Sequence, residues 1–384
     1  MAVKKGTAMK SEASILKYFA DLEDPRIEKN RKHSLMNIIT IAILGVICGA
    51  DTWVDIERYG NAKQGWLSTF LDLKNGIPSH DTFGRVFRWL DADQFQSRFI
   101  AWTRHICQLT EGQLVSLDGK KLRRSHDKRH KRDGIWMVSA WANDNRLVLG
   151  QVMVDEKSNE ITAVPLLLAA LDIQGCVVTV DALNAQTAIA QQIIDADADY
   201  ILPIKDNQGT LYEDLTLLFD GFETDNYATV HYDTAKQVSE GHDRREIRQC
   251  WVVSDPDYRA YLRREKQWPK LYSLVKLLTI RQTERKTEVT TRYFISSWSG
   301  TAQAFLNRIR EHWQIENGLH WVLDIAFRED ESRIRKDHAP QNMAVLRHMA
   351  TNLLKNETSA KVGIAARRKM AGWDNDYLLK VLCA

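Results

Sequence analysis

The sequence predicts an α/β fold in which an all-α N-terminal region precedes an α/β core with a β-rich insertion. In the first third of the chain, apolar residues recur every three to four positions, which is the period of a helix. In the middle third, short apolar runs alternate with helical segments in the order β-β-β-α-β-α-β. A strand-rich segment then precedes an apolar helical pattern that surrounds Glu316. The core is therefore expected to consist of two segments of the chain, one before and one after an insertion.

Composition fits a folded protein and excludes a disordered tail. The chain has 384 residues, 44% of them hydrophobic, which is enough for a sizeable core in two or three domains. Lys and Arg number 53 against 50 Asp and Glu, so the net charge of +3 does not by itself indicate a nucleic-acid partner. Five scattered cysteines without a CxxC pair predict reduced thiols in a cytoplasmic protein. No secretory signal is visible, and the longest apolar run, Leu35 to Ala50, is shorter than the roughly 20 residues of a membrane span.

A helix-turn-helix pair is a candidate in the N-terminal third. The spacing predicts a helix from about Ala62 to Leu73 and a second one that ends at Leu90, with Ser79 as its N-cap. In that arrangement Arg85 and Arg88 would face a DNA groove or its phosphates. Plain packing of two short helices explains the same pattern, and both interpretations stay open at this point.

Two predicted strands of the central region end in an acid. Asp118 closes the apolar run that starts at Leu114, and Asp181 closes the run that starts at Cys176. Either acid alone is expected to cap a loop. If the two strands are parallel neighbours, however, their carboxyl ends lie side by side, where open α/β sheets bind ligands. A dense basic segment follows Asp118 and would hold a phosphate backbone beside it: Lys120, Lys121, Arg123, Arg124, Lys128, Arg129, Lys131 and Arg132.

Glu316 is the third candidate acid. The apolar residues around it share one helical stripe, namely Phe305, Ile309, Trp313, Leu323 and Phe327. Glu316 falls inside this stripe, so its carboxylate is expected to need a cation, a hydrogen-bonding partner or a metal. His312 and His320, one turn to either side, could pair with it as purely structural partners. If a packed helix brings Glu316 to Asp118 and Asp181, three carboxylates converge, and such oxygen ligands suit Mg²⁺ or Mn²⁺ and two-metal phosphoryl transfer.

Between Lys205 and Glu288 the pattern is strand-rich. Strands are predicted at Tyr227 to Tyr232, Arg244 to Val253 and Leu271 to Arg281, before a strand at Arg292 to Ser297 leads back to the Glu316 helix. We interpret this segment as an insertion into the catalytic fold.

Several strings of residues resemble a known family, the H-repeat-associated DDE transposases of bacterial insertion sequences. They span nearly the whole chain: Asp24-Pro25-Arg26, Gly76-Ile77-Pro78-Ser79-His80-Asp81-Thr82-Phe83, Asp118-Gly119-Lys120, Lys157-Ser158-Asn159-Glu160-Ile161, Thr179-Val180-Asp181-Ala182, Lys205-Asp206-Asn207-Gln208 and His312-Trp313-Gln314-Ile315-Glu316-Asn317. The resemblance implies a ribonuclease-H-like core with Asp118, Asp181 and Glu316 as catalytic metal ligands. It also implies binding of double-stranded DNA at the element's terminal repeats and at the target, and a homodimer in the DNA complex.

On this basis four parts are predicted along the chain. Residues 1–110 form a helical domain associated with DNA binding, 111–205 and 291–384 form the two parts of the core with the C-terminal helices, and 206–290 form the insertion. One departure concerns the neighbours of Glu316. Related DDE families carry Tyr, Arg and Lys at positions that here hold Ile309, His312 and Leu323. His312 can still donate a hydrogen bond to phosphate, whereas Leu323 cannot.

Three alternatives remain beside a transposase that cuts and joins DNA. A ribonuclease-H-like nuclease would cut DNA without strand transfer. A domesticated sequence-specific DNA-binding protein would do neither. A zinc site formed by His312, Glu316 and His320 is a weaker alternative, because their spacing is not that of the zinc-binding helix motif.

Overall fold

The computed structural model describes residues 14–126, 134–154, 160–241 and 244–384, and its first part is helical, as predicted. The helices described there are α1 (Ser14–Tyr18), α2 (Leu35–Ile47), α3 (Trp53–Ala62), α4 (Gln64–Leu67), α5 (His80–Trp89) and α6 (Ala92–Ile106). Four of them start where a side-chain oxygen accepts a hydrogen bond from the backbone N–H three residues on, at Ser34, Thr52, Ser79 and Asp91. The predicted N-cap at Ser79 is therefore confirmed.

The predicted helix from Ala62 to Leu73 is present only as a single turn. Helix α3 ends at Ala62, and the single turn α4 is followed by turns up to Leu71. The side-chain amide of Asn37 on α2 donates a hydrogen bond to the Asp72 carbonyl at 2.7 Å, which ties the end of this segment to α2. The element before α5 is therefore a packed connection instead of the first helix of a helix-turn-helix pair.

All the strands of the described residues belong to one nine-stranded sheet in the order β3-β2-β1-β4-β5-β9-β8-β7-β6. The strands are β1 (Leu114–Lys121), β2 (Trp136–Ala142), β3 (Leu147–Val154), β4 (Val177–Thr179), β5 (Asp199–Ile204), β6 (Tyr232–Gly241), β7 (Arg244–Val253), β8 (Ser273–Thr283) and β9 (Thr287–Ser296). Strands β1, β4 and β5 are parallel, and the other pairs are antiparallel. The predicted α/β class with a ribonuclease-H-like core is confirmed.

Strand β1 is longer than the sequence predicts. It continues past Asp118 to Lys121, because its last residues pair with β2 in the register Lys120 to Met137 and Lys121 to Trp136. The strand therefore carries Asp118 in its interior, on the same face as Lys120 two residues later.

The strand-rich segment extends the core sheet instead of forming a separate one, because β9 pairs with β5 antiparallel. The prediction of a strand at Tyr227 to Tyr232 is wrong, since Asn226 and Tyr227 both have positive φ and the strand β6 begins only at Tyr232. The predicted strands beginning near Arg244 and Leu271 are present as β7 and β8. The boundaries at residues 110, 205 and 290 stay predictions.

Helices cover both faces of the core sheet. On one side lie α7 (Glu160–Ala170), α8 (Thr187–Asp195) and α9 (Gly209–Thr224). The remaining helices are α10 (Pro256–Arg259), α11 (Ala302–Glu311), α12 (Trp321–Phe327), α13 (Ala339–Asn356), α14 (Ile364–Trp373) and α15 (Asn375–Leu382). Helix α13 is buried along almost its whole length and packs against α2, α5, α6 and β3, so it joins the N-terminal helices to the sheet.

None of the helices within the described ranges has both the length and the apolar character that crossing a membrane requires.

Candidate active site

Asp118 on β1 lies level with Asp181, which comes two residues after the end of the neighbouring parallel strand β4. In the register of β1 with β4, Ser116 pairs with Thr179, and each acid comes two residues after its member of that pair. Both side chains are half-buried. The Asp181 carboxylate accepts hydrogen bonds from the backbone and side-chain N–H groups of Asn184, at 3.0 and 2.7 Å. The sheet thus places two carboxylates at the same edge, as the sequence indicated.

Glu316 and His320 reach this edge from a single turn of π-helix, Glu316–His320, between α11 and α12. The His320 Nδ1 atom lies 3.5 Å from an Asp118 oxygen and 3.6 Å from a Glu316 oxygen. One donor atom from each of Asp118, Glu316 and His320 can be chosen so that all three lie within 4.8 Å of one another. Single π-turns inside helices are common at functional sites.

The prediction that Glu316 points into the apolar stripe is wrong. Its side chain is 51% exposed, and Trp313, assigned to the same stripe, is 57% exposed. The turns at residues 312 and 313 and the π-turn after them break the α-helical period. The buried apolar residues of this stretch, from the turn at residue 313 onward, are therefore Ile315, Leu319, Leu323 and Phe327.

The negative charges of the cluster act on one another. Burial, together with the nearby negative charges of Glu316 and Asp181, raises the pKa of Asp118 far above the usual range of an aspartate. A hydrogen bond with His320 lowers the pKa of Glu316, so Glu316 keeps its charge while Asp118 gives it up. A buried carboxyl that is disfavoured in this way is a common sign of a functional site.

The donor set fits a divalent metal ion. Two carboxylates and one imidazole face a common point, and hard cations prefer carboxylate oxygen. Asp181 is not part of the tight group of three, yet its charge acts on Asp118, which puts it beside the same centre. The sequence showed His320 only as a partner of Glu316, and its contact with Asp118 requires the fold.

His312 is hydrogen-bonded to β4 and does not face Glu316 and His320 as a zinc ligand would. Its Nδ1 shares a hydrogen bond of 2.8 Å with the Thr179 hydroxyl on β4, and it does not belong to the group of possible metal ligands. Burial lowers the pKa of His312 to about 4, so the imidazole is neutral near pH 7. The nearby Asp181 and Glu316 charges oppose this shift, and Arg292 adds to it. His312 therefore stands beside the acids as a neutral group fixed by β4.

The predicted basic residues differ in their surroundings. Lys121, Arg123 and Arg124 are exposed, and Arg123 pairs with Asp330 at 3.1 Å. Lys120 is turned inward, where its ammonium meets the carboxylates of Asp324 and Glu329. The rest of the basic segment, Lys128, Arg129, Lys131 and Arg132, lies outside the described residues.

Arg85 and Arg88 lie on α5 at a cleft that they share with the segment from Arg333 to Lys336. Arg85 is exposed and donates a hydrogen bond to the carbonyl of Asp81, whereas Arg88 forms an ion pair with Asp337. The cleft is therefore lined by basic residues from α5 on one side and from the segment Arg333 to Lys336 on the other.

Comparisons with known proteins give a consistent result. The model of a family described as the transposase DDE domain matches residues 99–353, and a model described as DDE_Tnp_1-associated matches residues 16–103. A protein of Escherichia coli O157:H7 named "Putative transposase YncI" is 38% identical over 376 residues, covering 97% of this chain and 95% of that protein. The "H repeat-associated putative transposase YhhI" of Escherichia coli K12 is 36% identical over 372 residues, covering 96% and 97%.

A cryo-EM structure of the piggyBac transposase synaptic complex with hairpin DNA has 9% sequence identity and a TM-score of 0.43, covering 95% of this chain and 76% of that one. This score is too low to support an assignment.

Proposed function

Since this chain belongs to the DDE transposase family and to its H-repeat-associated group, we propose that it binds the ends of its own insertion sequence, cuts the DNA there and joins the freed 3′ ends to target DNA. The observation that carries this proposal is the meeting of Asp118 and Glu316 at one edge of the sheet, with Asp181 level with Asp118 just after the end of the next strand. The family implies dependence on a divalent metal ion.

Asp118, Asp181 and Glu316 would hold Mg²⁺ or Mn²⁺. When bound, two such ions supply activation of a water or hydroxyl nucleophile and stabilisation of the leaving oxygen. Neighbouring side chains position the carboxylates that would bind the metal ions. His320, which contacts both Asp118 and Glu316, fixes the two carboxylates relative to each other. The hydroxyl of Thr179 donates to Ser116, so the neutral His312 donates its Nδ1 proton to Thr179 and its Nε2 is left as an acceptor. His312 is therefore not assigned a phosphate contact.

DNA would be held by charge on both sides of the acids. Three exposed basic residues lie at the end of β1 and directly after it, namely Lys121, Arg123 and Arg124. They would contact phosphates close to the scissile bond. The cleft lined by Arg85 and Arg88 is a second candidate, through which the N-terminal helices would recognise the element's ends. Pairing of two ends requires a homodimer in the DNA complex. Lys120 is left out of this set because its charge is already neutralised inside the protein.

The test is cleavage of a labelled duplex that carries the inverted repeats flanking the gene, with Mg²⁺ or Mn²⁺. Asp118→Asn, Asp181→Asn and Glu316→Gln are compared with Asp144→Asn, which removes the same charge from an exposed turn. We expect metal-dependent cutting to fall by more than about a thousandfold in the three variants, as for loss of an essential catalytic group, and to persist in the control. Cutting that survives one substitution removes that residue from the site.

The nuclease alternative shares the same acids and needs a separate measurement. A precut end with a free 3′ hydroxyl is mixed with a supercoiled plasmid, and joined product is measured. A transposase forms the joined product and loses it in Glu316→Gln. Cutting without joining would assign the chain to the nuclease class instead, and binding without either reaction would assign it to the domesticated binders.

A further inference from the structure

We infer that a groove between the extension of the sheet and helix α11 binds the phosphate backbone of the DNA strand that enters the active site. This inference rests on the proposed function and assigns a task to the strand-rich insertion. We call it the arginine groove and define it by five residues that line it: Arg244, Arg248, Arg281, Arg292 and Arg310. Its volume is about 840 Å³.

The groove leads to the catalytic acids. Its floor is one face of β7, β8 and β9, where residues two apart along a strand point the same way, as Arg244 and Arg248 do. Its wall is α11, and its end is formed by Trp313, Gln314 and Asn317. Asn317 directly follows Glu316, so a strand leaving the groove at this end arrives at the active site.

The groove carries an excess of positive charge. Three acids line it as well, but two of them have cations outside the groove: Glu288 pairs with Lys286 at 2.7 Å, and Glu311 pairs with Arg308 at 3.3 Å. Of the three acids, Glu246 alone forms ion pairs with arginines of the groove, at 2.7 Å from Arg248 and at 3.9 Å from Arg281. One internal carboxylate therefore faces five guanidinium groups.

Several of these donors lack an anionic partner among the described residues, and the guanidinium of Arg292 lies over the Phe294 ring, 5.8 Å from its centre. Within the described part of the chain, neither Arg292 nor Arg310 forms an ion pair, and the Nη1 atom of Arg248 is buried without a hydrogen-bond acceptor. The Thr279 hydroxyl at the same floor is also buried and unpaired among the described residues. Burial lowers the pKa of Arg248 and of Arg292, and the charge of Arg248 adds to the shift at Arg292. Crowded, partly dehydrated guanidinium groups of this kind are expected to have an anionic ligand.

The shape of the groove favours a polymer over a small anion. Arg244 and Arg248 are four residues apart on one strand, a span of roughly 13 Å at about 3.3 Å per residue. A row of this length suits successive phosphates, and guanidinium groups bind phosphate in a bidentate manner. The exposed indole of Trp313 at the active-site end offers a surface on which a base can stack. A nucleic-acid strand has both features.

The test measures the salt dependence of DNA binding. The full chain is titrated into a fluorescein-labelled duplex of arbitrary sequence, without divalent metal so that no cutting occurs. The double variant Arg248→Gln with Arg292→Gln is compared with Arg245→Gln with Arg285→Gln, which removes the same charge outside the groove, from the opposite face of β7 and from the β8–β9 turn. Each lost phosphate contact is expected to reduce the slope of log K against log [salt] by about 0.9, so the groove variant should lose about 1.8 and bind about tenfold or more weakly.

Two further experiments, a charge-conserving substitution and a pair of crosslinking variants, separate charge from folding. Arg292→Lys keeps the charge, so it should keep the salt slope even though it loses the bidentate geometry. A photo-crosslinking residue at Thr290, which lines the groove, should attach to DNA, whereas one at Val289, on the other face of β9, should not.

The outcomes distinguish this inference from the proposed function. A native chain that binds no DNA would overturn both. A native chain that binds and cuts DNA, with groove and control double variants of equal salt slope, would overturn the arginine groove alone. Equal crosslinking from Thr290 and Val289 would do the same.

Discussion

The ammonium group of Lys120 lies 2.9 Å from the carboxylate of Glu329 in the interior of the protein. Glu329 is also 3.4 Å from Arg347 on α13, and Lys120 reaches Asp324 on α12 as well. The positive charges of Lys120 and Arg347 lower the pKa of Glu329 to about 2 against the opposing effect of burial. Strand β1, which carries Asp118, is thus tied by charge to the helix that follows Glu316.

The first prediction is that Lys120→Met destabilises the fold. Removing one partner of a buried ion pair typically costs about 3 kcal/mol or more, because the other charge is left without compensation. Arg347 remains near Glu329, so the cost should stand at the lower end of that range. Urea denaturation measures it, with Lys121→Met, an exposed neighbour on the same strand, as the control. If the two variants are equally stable, the ion pair does not contribute to the fold.

The sequence could place Asp118 beside Asp181 only on the condition that their two strands are parallel neighbours, since both acids end an apolar run. The pairing of β1 with β4, which are separated in sequence by two antiparallel strands, becomes visible only in the fold. The sequence could not predict the position of Lys120. The apolar run predicts that the strand ends at Asp118, whereas the pairing with β2 extends the strand to Lys121. Read as one strand, the sequence would have placed Lys120 on the face of Asp118.

Glu316 shows a second limit of pattern reading. A straight α-helix advances about 100° per residue, so one irregular turn moves every following side chain to another face. No residue type in the sequence predicts the π-turn at Glu316–His320, because its position depends on contacts with distant segments. The joining of β9 to β5 is equally non-local, which is why the sequence pattern predicts a strand-rich segment but not its place in the sheet.

The second prediction concerns metal binding and pH. The pKa of Asp118 is raised by burial and by Glu316 and Asp181, so the metal-free protein keeps a proton there that a divalent ion must displace. Affinity for Mn²⁺ should therefore fall as pH falls, by up to about tenfold per pH unit when one proton is released. Calorimetric titration in two buffers of different ionisation enthalpy measures both the affinity and the proton.

The same shift has a consequence for stability. Because the folded state binds this proton more tightly than the unfolded state, Asp118 lowers the free energy of unfolding as pH rises through its raised pKa. Asp118→Asn should thus stabilise the metal-free protein by about 1 kcal/mol at neutral pH while abolishing Mn²⁺ binding. Retained binding, or no proton release by the native chain, would contradict the assignment of Asp118 as a ligand.

The third prediction concerns the support of the π-turn. The Lys355 ammonium donates a hydrogen bond to the Gly318 carbonyl at 2.9 Å and lies 4.4 Å from the centre of the Trp141 ring. Burial lowers the pKa of Lys355 to about 8. Lys355→Met keeps the volume but leaves the carbonyl unpaired, which costs about 1–3 kcal/mol.

Because Gly318 is two residues from Glu316, DNA cleavage by Lys355→Met should fall by about tenfold or more, the effect expected when a catalytic group is displaced by about an ångström. Lys369→Met, an exposed lysine on α14, should retain both stability and cleavage. Full cleavage by a destabilised Lys355→Met would show that Lys355 serves folding and not the position of Glu316.

The fourth prediction concerns acid stability and His348. This side chain is buried on α13, and burial lowers its pKa from 6.5 to about 4, with His320, Lys120 and Arg347 adding to the shift and Glu329 opposing it. Between those two pH values His348 is protonated in the unfolded chain but not in the folded chain. The free energy of unfolding therefore falls as pH drops from about 6.5 to about 4. The slope is at most about 1.4 kcal/mol per pH unit for one group.

His348→Gln removes this titration, and its urea midpoint should therefore lose less between about pH 6.5 and about pH 4.5 than that of the native chain. His105→Gln, an exposed histidine on α6, should keep the native dependence. His312, whose pKa is lowered in the same direction, leaves a residual slope in both variants. An unchanged slope in His348→Gln would mean that His348 is protonated in the fold, with Glu329 outweighing the cost of burying its charge.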